Sequence, residues 1–205
     1  EELCEQITGQ KDASDPHRRR REEGLRLLQR AIELDPRHGW AWLAAGMAHT
    51  ELGNFRESRW CLEKALELEM TPQGETAGVE GFLGECLRRA GELDEARQRS
   101  LAGIEAVEKA DHFYRDTFRG VFLASLGRIA LQQHHVEAAR AAFNQAVLHL
   151  RGRSRARAGG HPFVQALCGL AQTDRDEGAF EEALDVFRRR EAFDFFFMYC
   201  CVDDM

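Results

Sequence analysis

Trp42-Leu43-Ala44-Ala45-Gly46-Met47-Ala48-His49, then Gly53-Asn54-Phe55, then Ser58-Arg59-Trp60-Cys61-Leu62-Glu63-Lys64-Ala65, is the stretch that decides the fold of this chain. A Gly stands seven residues before a Gly-Asn reversal, and a small residue follows the reversal within one helical turn. The register returns at Gly84 with Gly91-Glu92-Leu93 and Ala96, at Gly127 with His134-His135-Val136 and Ala139, and at Ala171 with Gly178-Ala179-Phe180 and Ala183. Small residues on facing positions let two helices approach closely. Leu62, Phe143 and Phe187, each four residues after the small one, are of a size to fill the gap to the next hairpin, and Ala65 and Ala146 follow three further on. The pattern is that of stacked helical hairpins.

Trp42-x2-Ala45-Gly46-x2-His49, Phe55, Ser58-x3-Leu62 and Ala65 follow the W-x2-L-G-x2-Y…A-x3-F scheme, and on these residues the chain resembles the tetratricopeptide repeat family. Upstream, Gly24-x3-Leu28-x2-Ala31 and the phrase QRAIELDP ending at Asp35-Pro36 look like the second helix of an earlier repeat. Downstream, Glu80-x2-Leu83-Gly84-x2-Leu87, Leu123-x2-Leu126-Gly127-x2-Ala130 and Leu167-x2-Leu170-Ala171-x2-Asp174 are progressively looser copies. The resemblance runs over roughly residues 20–192 and implies an all-α, right-handed superhelix of hairpins. The steps between copies exceed the family's unit of about 34 residues, with the surplus at 71–76, 111–119 and 151–162.

Three regions are expected: an N-terminal arm over 1–16, a repeat domain over 17–192 with about four hairpins and a leading helix, and an apolar capping or docking segment over 193–205. Helices are expected at 17–34, 39–52, 55–69, 75–90, 93–109, 112–132, 135–151, 162–177 and 180–192. Gly152 to Pro162 reads as the most loop-like stretch. The ending Phe193-Asp194-Phe195-Phe196-Phe197-Met198-Tyr199-Cys200-Cys201-Val202 has one charge among apolar residues. It reads either as packed into the end of the stack or a continuing chain, or as a docking or dimerising segment.

With 43% apolar and 31% charged residues among 205, the composition is that of an ordinary globular domain, and no apolar run reaches the ~18 residues of a membrane-spanning helix. Glu1 in place of an initiating Met reads as a processed or excised piece. The net charge of −7 argues against general affinity for nucleic acid or an anionic membrane. Two basic segments interrupt that balance, His17-Arg18-Arg19-Arg20-Arg21 and Arg151 to Arg157; each reads as a solvated face or loop, with contact to an acidic partner as the functional alternative. None of the six Cys forms a C-x-x-C pair, so no metal or redox motif is indicated. Cys61, Cys86 and Cys168 read as buried thiols of a reduced, cytoplasmic or nuclear protein.

The resemblance implies an inner groove lined by the first helix of each hairpin. Its stripe comprises Trp40, Leu43, Met47 and Thr50; Gly78, Gly81, Glu85 and Arg88; Val121, Ala124, Arg128 and Leu131; Gln165, Cys168, Gln172 and Arg175, with Arg89, Gln132 and Asp176 at the rim. Trp40, Met47, Glu85, Arg88, Arg89, Arg128, Gln132, Gln172 and Arg175 are the expected partner-binding residues. Three Arg on one concave face offer forked hydrogen bonds to a carboxylate, so an acidic peptide is a fitting ligand. The alternative is that they are taken up by Glu85, Asp174 and Asp176 as salt bridges. The family's carboxylate clamp requires a Lys and an Asn where Leu43 and Met47 stand, so that activity is not indicated.

Catalysis has no foothold: there is no Gly-rich phosphate loop, no G-x-S-x-G and no H-E-x-x-H, and His134-His135 sits in a turn. The expected function is that of a scaffold or adaptor binding a protein segment, without catalysis, metal or cofactor. A nucleic-acid-binding repeat using Arg88, Arg128, Arg175 and the basic loop is one alternative, and a regulatory fragment of a larger enzyme is the other.

Overall fold

The computed structural model of the chain describes residues 16–68, 74–109, 115–151, 160–174, 178 and 181. The helices there run in order α1 Pro16–Leu34, α2 Gly39–Leu52, α3 Phe55–Glu67, α4 Gly74–Ala90, α5 Leu93–Lys109, α6 Arg115–Gln132, α7 Val136–Arg151 and α8 Gly160–Asp174. Among the described residues there is no strand. The all-helical expectation holds, and the interior helix ends fall within a few residues of those read from the sequence.

The three reversals share one geometry. Gly53 has φ 78°, Gly91 φ 87° and His134 φ 61°, all left-handed. In each, the amide of the next residue reaches back over the last turn: Asn54 N–H to His49 O at 2.9 Å, Glu92 N–H to Leu87 O at 2.9 Å, His135 N–H to Ala130 O at 2.8 Å. This is the helix-ending motif that supplies orphan carbonyls with a donor, and Gly adopts it without strain. His134 holds the same conformation with a side chain, exposed to solvent as the sequence anticipates.

Neighbouring helices in sequence pack as antiparallel pairs, and backbone approach between alternate helices runs along α2, α4, α6 and α8. That series therefore forms the inner side of a curved stack, with α1, α3, α5 and α7 outside. The burden shows in sequence: α2 and α6 have no single apolar stripe and bury residues on several sides, whereas α3 and α7 carry one apolar stripe. The outer helices α3 and α5 are bridged instead by Arg59, whose Nη1 lies 3.0 Å from Glu92 and Nη2 2.8 Å from Glu95.

The small-residue register works by contact. A Cβ placed on Gly46 would lie 2.6 Å from Leu62 Cγ, and one on Gly127 would lie 2.6 Å from Phe143 Cε1. Both separations are closer than carbon atoms tolerate, so only Gly fits. Ser58 Oγ donates to Gly46 O at 2.8 Å, so the hydroxyl is satisfied at full burial. Phe143 is wedged between Gly127 of its own hairpin and Gly169 of α8, fully buried.

The hairpin α4–α5 departs from this scheme. The position of Leu62 and Phe143 is held there by Ser100, which donates to Ala96 O at 3.0 Å. The wedge comes from the opposite direction: Phe122 of α6 packs against Gly103 of α5 and Gly81 of α4. Large and small residues have exchanged sides across the interface, which keeps it filled.

Part of the repeat surplus extends helices. α4, α5 and α6 have 17, 17 and 18 residues against 14 in α2. The loop expected up to Pro162 is shorter than the sequence suggested, because α8 already starts at Gly160. Pro162 lies in the first turn, where the missing N–H has no intrahelical acceptor to lose. Residues 1–15 of the arm, the ending 193–205 and most of the expected helix 180–192 lie outside the described residues, and Pro16, expected to end the arm, starts α1.

Candidate functional site

The inner helices carry a chain of polar side chains across α2, α4 and α6. Arg88, half a turn from the end of α4, grips Glu85 of the same helix with Nε at 2.9 Å and Nη2 at 2.8 Å, and donates from Nη1 to Gln132 Oε1 of α6 at 3.0 Å. Arg128 of α6 reaches the same carboxylate, Nη2 to Glu85 Oε2 at 3.2 Å. Arg89 points the other way, to Glu51 of α2 at 3.0 Å, with its guanidinium carbon 5.9 Å above the centroid of the Phe55 ring. Among the described residues, Arg88 and Arg128 thus share Glu85 while Arg89 pairs with Glu51, three guanidiniums to two carboxylates.

The cluster is half shielded from water, with the side chains of Arg88 and Arg128 16% and 28% exposed. Burial opposes ionisation of Glu85, but the hydrogen bonds from Arg88 and the charges of Arg128, Arg88 and Arg89 outweigh it and hold the carboxyl below its usual range. Arg128 has its pKa pulled down by burial, against the attraction of Glu85 and with the repulsion of Arg88. Its Nε is buried with no hydrogen-bond partner among the described residues. A buried donor left without a partner costs the desolvation of that group.

Of the sequence-expected residues, Glu85, Arg88, Arg128 and Gln132 come together as one cluster, and Arg89 joins its edge. The salt-bridge alternative is realised for Arg88 and Arg128 through Glu85. Trp40 is 53% exposed at the start of α2, Met47 is half-buried against the core that holds Trp42, Leu62 and Leu83, and Gln172 is exposed on α8. Arg175 and Asp176 lie outside the described residues. Leu43, Thr50 and Ala124 do not line the groove as the stripe suggested; they are buried, Thr50 against Ser58 of its own hairpin. Glu51 was missed, although it stands at the same register position as Arg89 and Gln132. That shared position was the available signal.

The other chemistry-bearing groups do not converge. Among the described residues no three His, Cys, Asp or Glu side chains are grouped to hold a metal ion. Cys61 and Cys86 are buried and Cys168 half-buried, all free, and burial pushes the Cys61 thiol up to about 11. No described helix is long and apolar enough to cross a membrane.

The family profile of the tetratricopeptide repeat matches residues 18–75 and, in a second register, 43–110. Over residues 18–110 the chain is thus similar to the tetratricopeptide repeat. The crystal structure of BtubC (BKLC) from P. vanneervenii is similar to it, with a TM-score of 0.61 and 15% identity over 94% of this chain and 89% of that one. At that identity the likeness concerns the fold alone. No curated protein matches the chain. Tetratricopeptide repeats generally mediate protein–protein interaction and are typically non-catalytic scaffolds. The profile covers α1 to α5, whereas the guanidinium cluster reaches on to α6.

Proposed function

We propose that this tetratricopeptide-like protein is an adaptor that takes a partner segment in its inner groove, with an acidic side chain of the partner received at the Arg88–Arg128 pair. The observation that carries the reading is the sharing of the single Glu85 carboxylate by the Arg88 and Arg128 guanidiniums. An incoming carboxylate gives the two guanidiniums that share Glu85 a second acceptor, at a site where water screens little. Trp40 and Met47, toward the start of the stack, offer apolar contact to the rest of such a segment. The nucleic-acid alternative is less favoured, because both groove arginines already share a carboxylate and the chain is net acidic.

The test is affinity capture with the intact stack against Arg88→Gln/Arg128→Gln, with thermal melting to confirm that both are folded. The groove reading expects the variant to lose the partners that acidic peptides compete away. An unchanged partner set from a folded variant would remove it, and an affinity falling steeply with salt on single-stranded RNA would replace it with the nucleic-acid reading.

A further inference from the structure

The two groove arginines are held in different ways. Arg88 is tied on both sides: Nε and Nη2 donate to the two oxygens of Glu85 at 2.9 and 2.8 Å, and Nη1 donates to Gln132 of α6 at 3.0 Å. That is the forked, charge-assisted fit of a guanidinium to a carboxylate. Arg128 comes second to the same group. Its Nη2 lies 3.2 Å from Oε2 of Glu85, an oxygen that already accepts from Arg88, and its Nε is buried with no partner among the described residues. Nε and Nη2 form one edge of the planar guanidinium. Arg88 fills that edge, whereas Arg128 leaves half of it empty.

The charges follow the geometry. Hydrogen bonding to Glu85 raises the pKa of Arg88, whereas burial lowers that of Arg128 although Glu85 opposes it. Were Arg128 to turn away, both oxygens of Glu85 would keep a donor from Arg88. The departure of Arg88 would strip both oxygens and the link to Gln132 at once. Only Arg128 can therefore change partner at small cost, and its turning out relieves a buried donor that nothing satisfies.

We propose that Arg128 alone receives the carboxylate of the bound segment, and that Arg88 is a positioning residue that keeps Glu85 occupied so that Arg128 can leave it. This rests on the groove reading and gives its two arginines different parts. In the resting chain Arg128 leans on Glu85; with a segment bound, it exchanges that contact for a carboxylate on its Nε–Nη2 edge. Glu85 sets the threshold for the exchange, because it competes for Arg128 and repels the incoming charge. Arg88 blunts both effects by neutralising Glu85 itself.

The probe is fluorescein-labelled hexaglutamate, titrated by anisotropy into the full chain at fixed ionic strength, with labelled hexaglutamine as the blank and thermal melting of every variant. Arg128→Gln and Arg88→Gln should each weaken binding about tenfold, the second because the freed Glu85 captures Arg128. Glu85→Gln should tighten it. The paired variants decide. Arg88→Gln/Glu85→Gln should bind within about threefold of Glu85→Gln, since nothing is left for Arg88 to occupy. Arg128→Gln/Glu85→Gln should still lose about tenfold. Both pairs replace an ionic contact by neutral amides, so they carry the reading even where a single variant does not fold. An equal loss from Arg88→Gln in both backgrounds would show that both arginines touch the ligand, and would overturn the proposal while leaving the groove reading in place. Weaker binding by Glu85→Gln would do the same, making Glu85 an organiser of the site. Hexaglutamate that binds none of these chains, or all of them alike, removes the groove reading and this proposal with it.

Discussion

The hairpins α2–α3 and α4–α5 face the same packing problem and fill it from opposite sides. In the first, the outer helix supplies the large residue, Leu62, and the inner helix makes room with Gly46. In the second, the outer helix makes room with Gly103, and the large residue arrives from the following repeat as Phe122. What is preserved is the filled volume, and the residue that fills it is free to move. A repeat sequence can therefore drift far from its consensus without leaving a void, provided a loss on one side is met by a gain across the contact.

The comparison breaks most sharply at the wedges. Phe122→Ala and Phe143→Ala should each cost about 3–5 kcal/mol in denaturant melts, because both rings are fully buried among glycines that cannot collapse onto the space. A far smaller loss for Phe122 would mean that α4–α5 is loosely packed rather than reversed. The glycines beside Phe122 give a finer reading. Gly103→Ala places a methyl deep inside the ring and should cost about 1–3 kcal/mol. At Gly81 the nearest ring atom lies 3.4 Å from the added carbon, so Gly81→Ala should be close to neutral or gain from helix propensity. Equal effects at the two sites would contradict the seating of the ring.

Next in size is the ionic link that joins α4 to α6. Glu85 has a folded-state pKa held below its ordinary 4.5, so its stabilisation is present above that value and is lost as pH falls through the lower folded one. Glu85→Gln should be about 1–2 kcal/mol less stable than the native chain at pH 7. The difference should shrink as the medium is acidified below about 4.5. A gap independent of pH would show that Glu85 acts through packing. The smallest effect belongs to the third reversal, where His134→Gly should stabilise by about 0.5 kcal/mol, the relief of a left-handed side chain partly offset by the freer unfolded backbone. Gly91→Ala should destabilise by a similar or larger amount.

Much of this was legible in advance, for a physical reason. Positions such as Gly46, Gly127, Ser58 and Ala139 are constrained by the distance between two helix axes, and only the smallest residues satisfy it. The reversal at Phe122 was not legible. Its register position holds Ala41, Val79 and Ala166 in the other inner helices, so a Phe there looks like ordinary core until its partners are known. Gly103, standing where Ala65 and Ala146 occur, was the unread hint. At the groove, the register places Arg88 and Arg128 on one surface, but it does not reveal that one carboxylate serves both. That depends on how far α4 lies from α6, and helix spacing is a property of the packed wedges, not of either stripe.

Phe143 has a consequence for how the stack comes apart. A ring seated between Gly127 and Gly169 ties its own hairpin to the next, and Phe122 does the same between α6 and the hairpin before it. Removing one hairpin exposes an aromatic socket on its neighbour, so the unfavourable boundary between folded and unfolded segments is large where these rings sit. Pulled from its ends, the region α4–α8 should therefore yield in a single step, and a ligand that clamps one hairpin would shield the hairpins beside it.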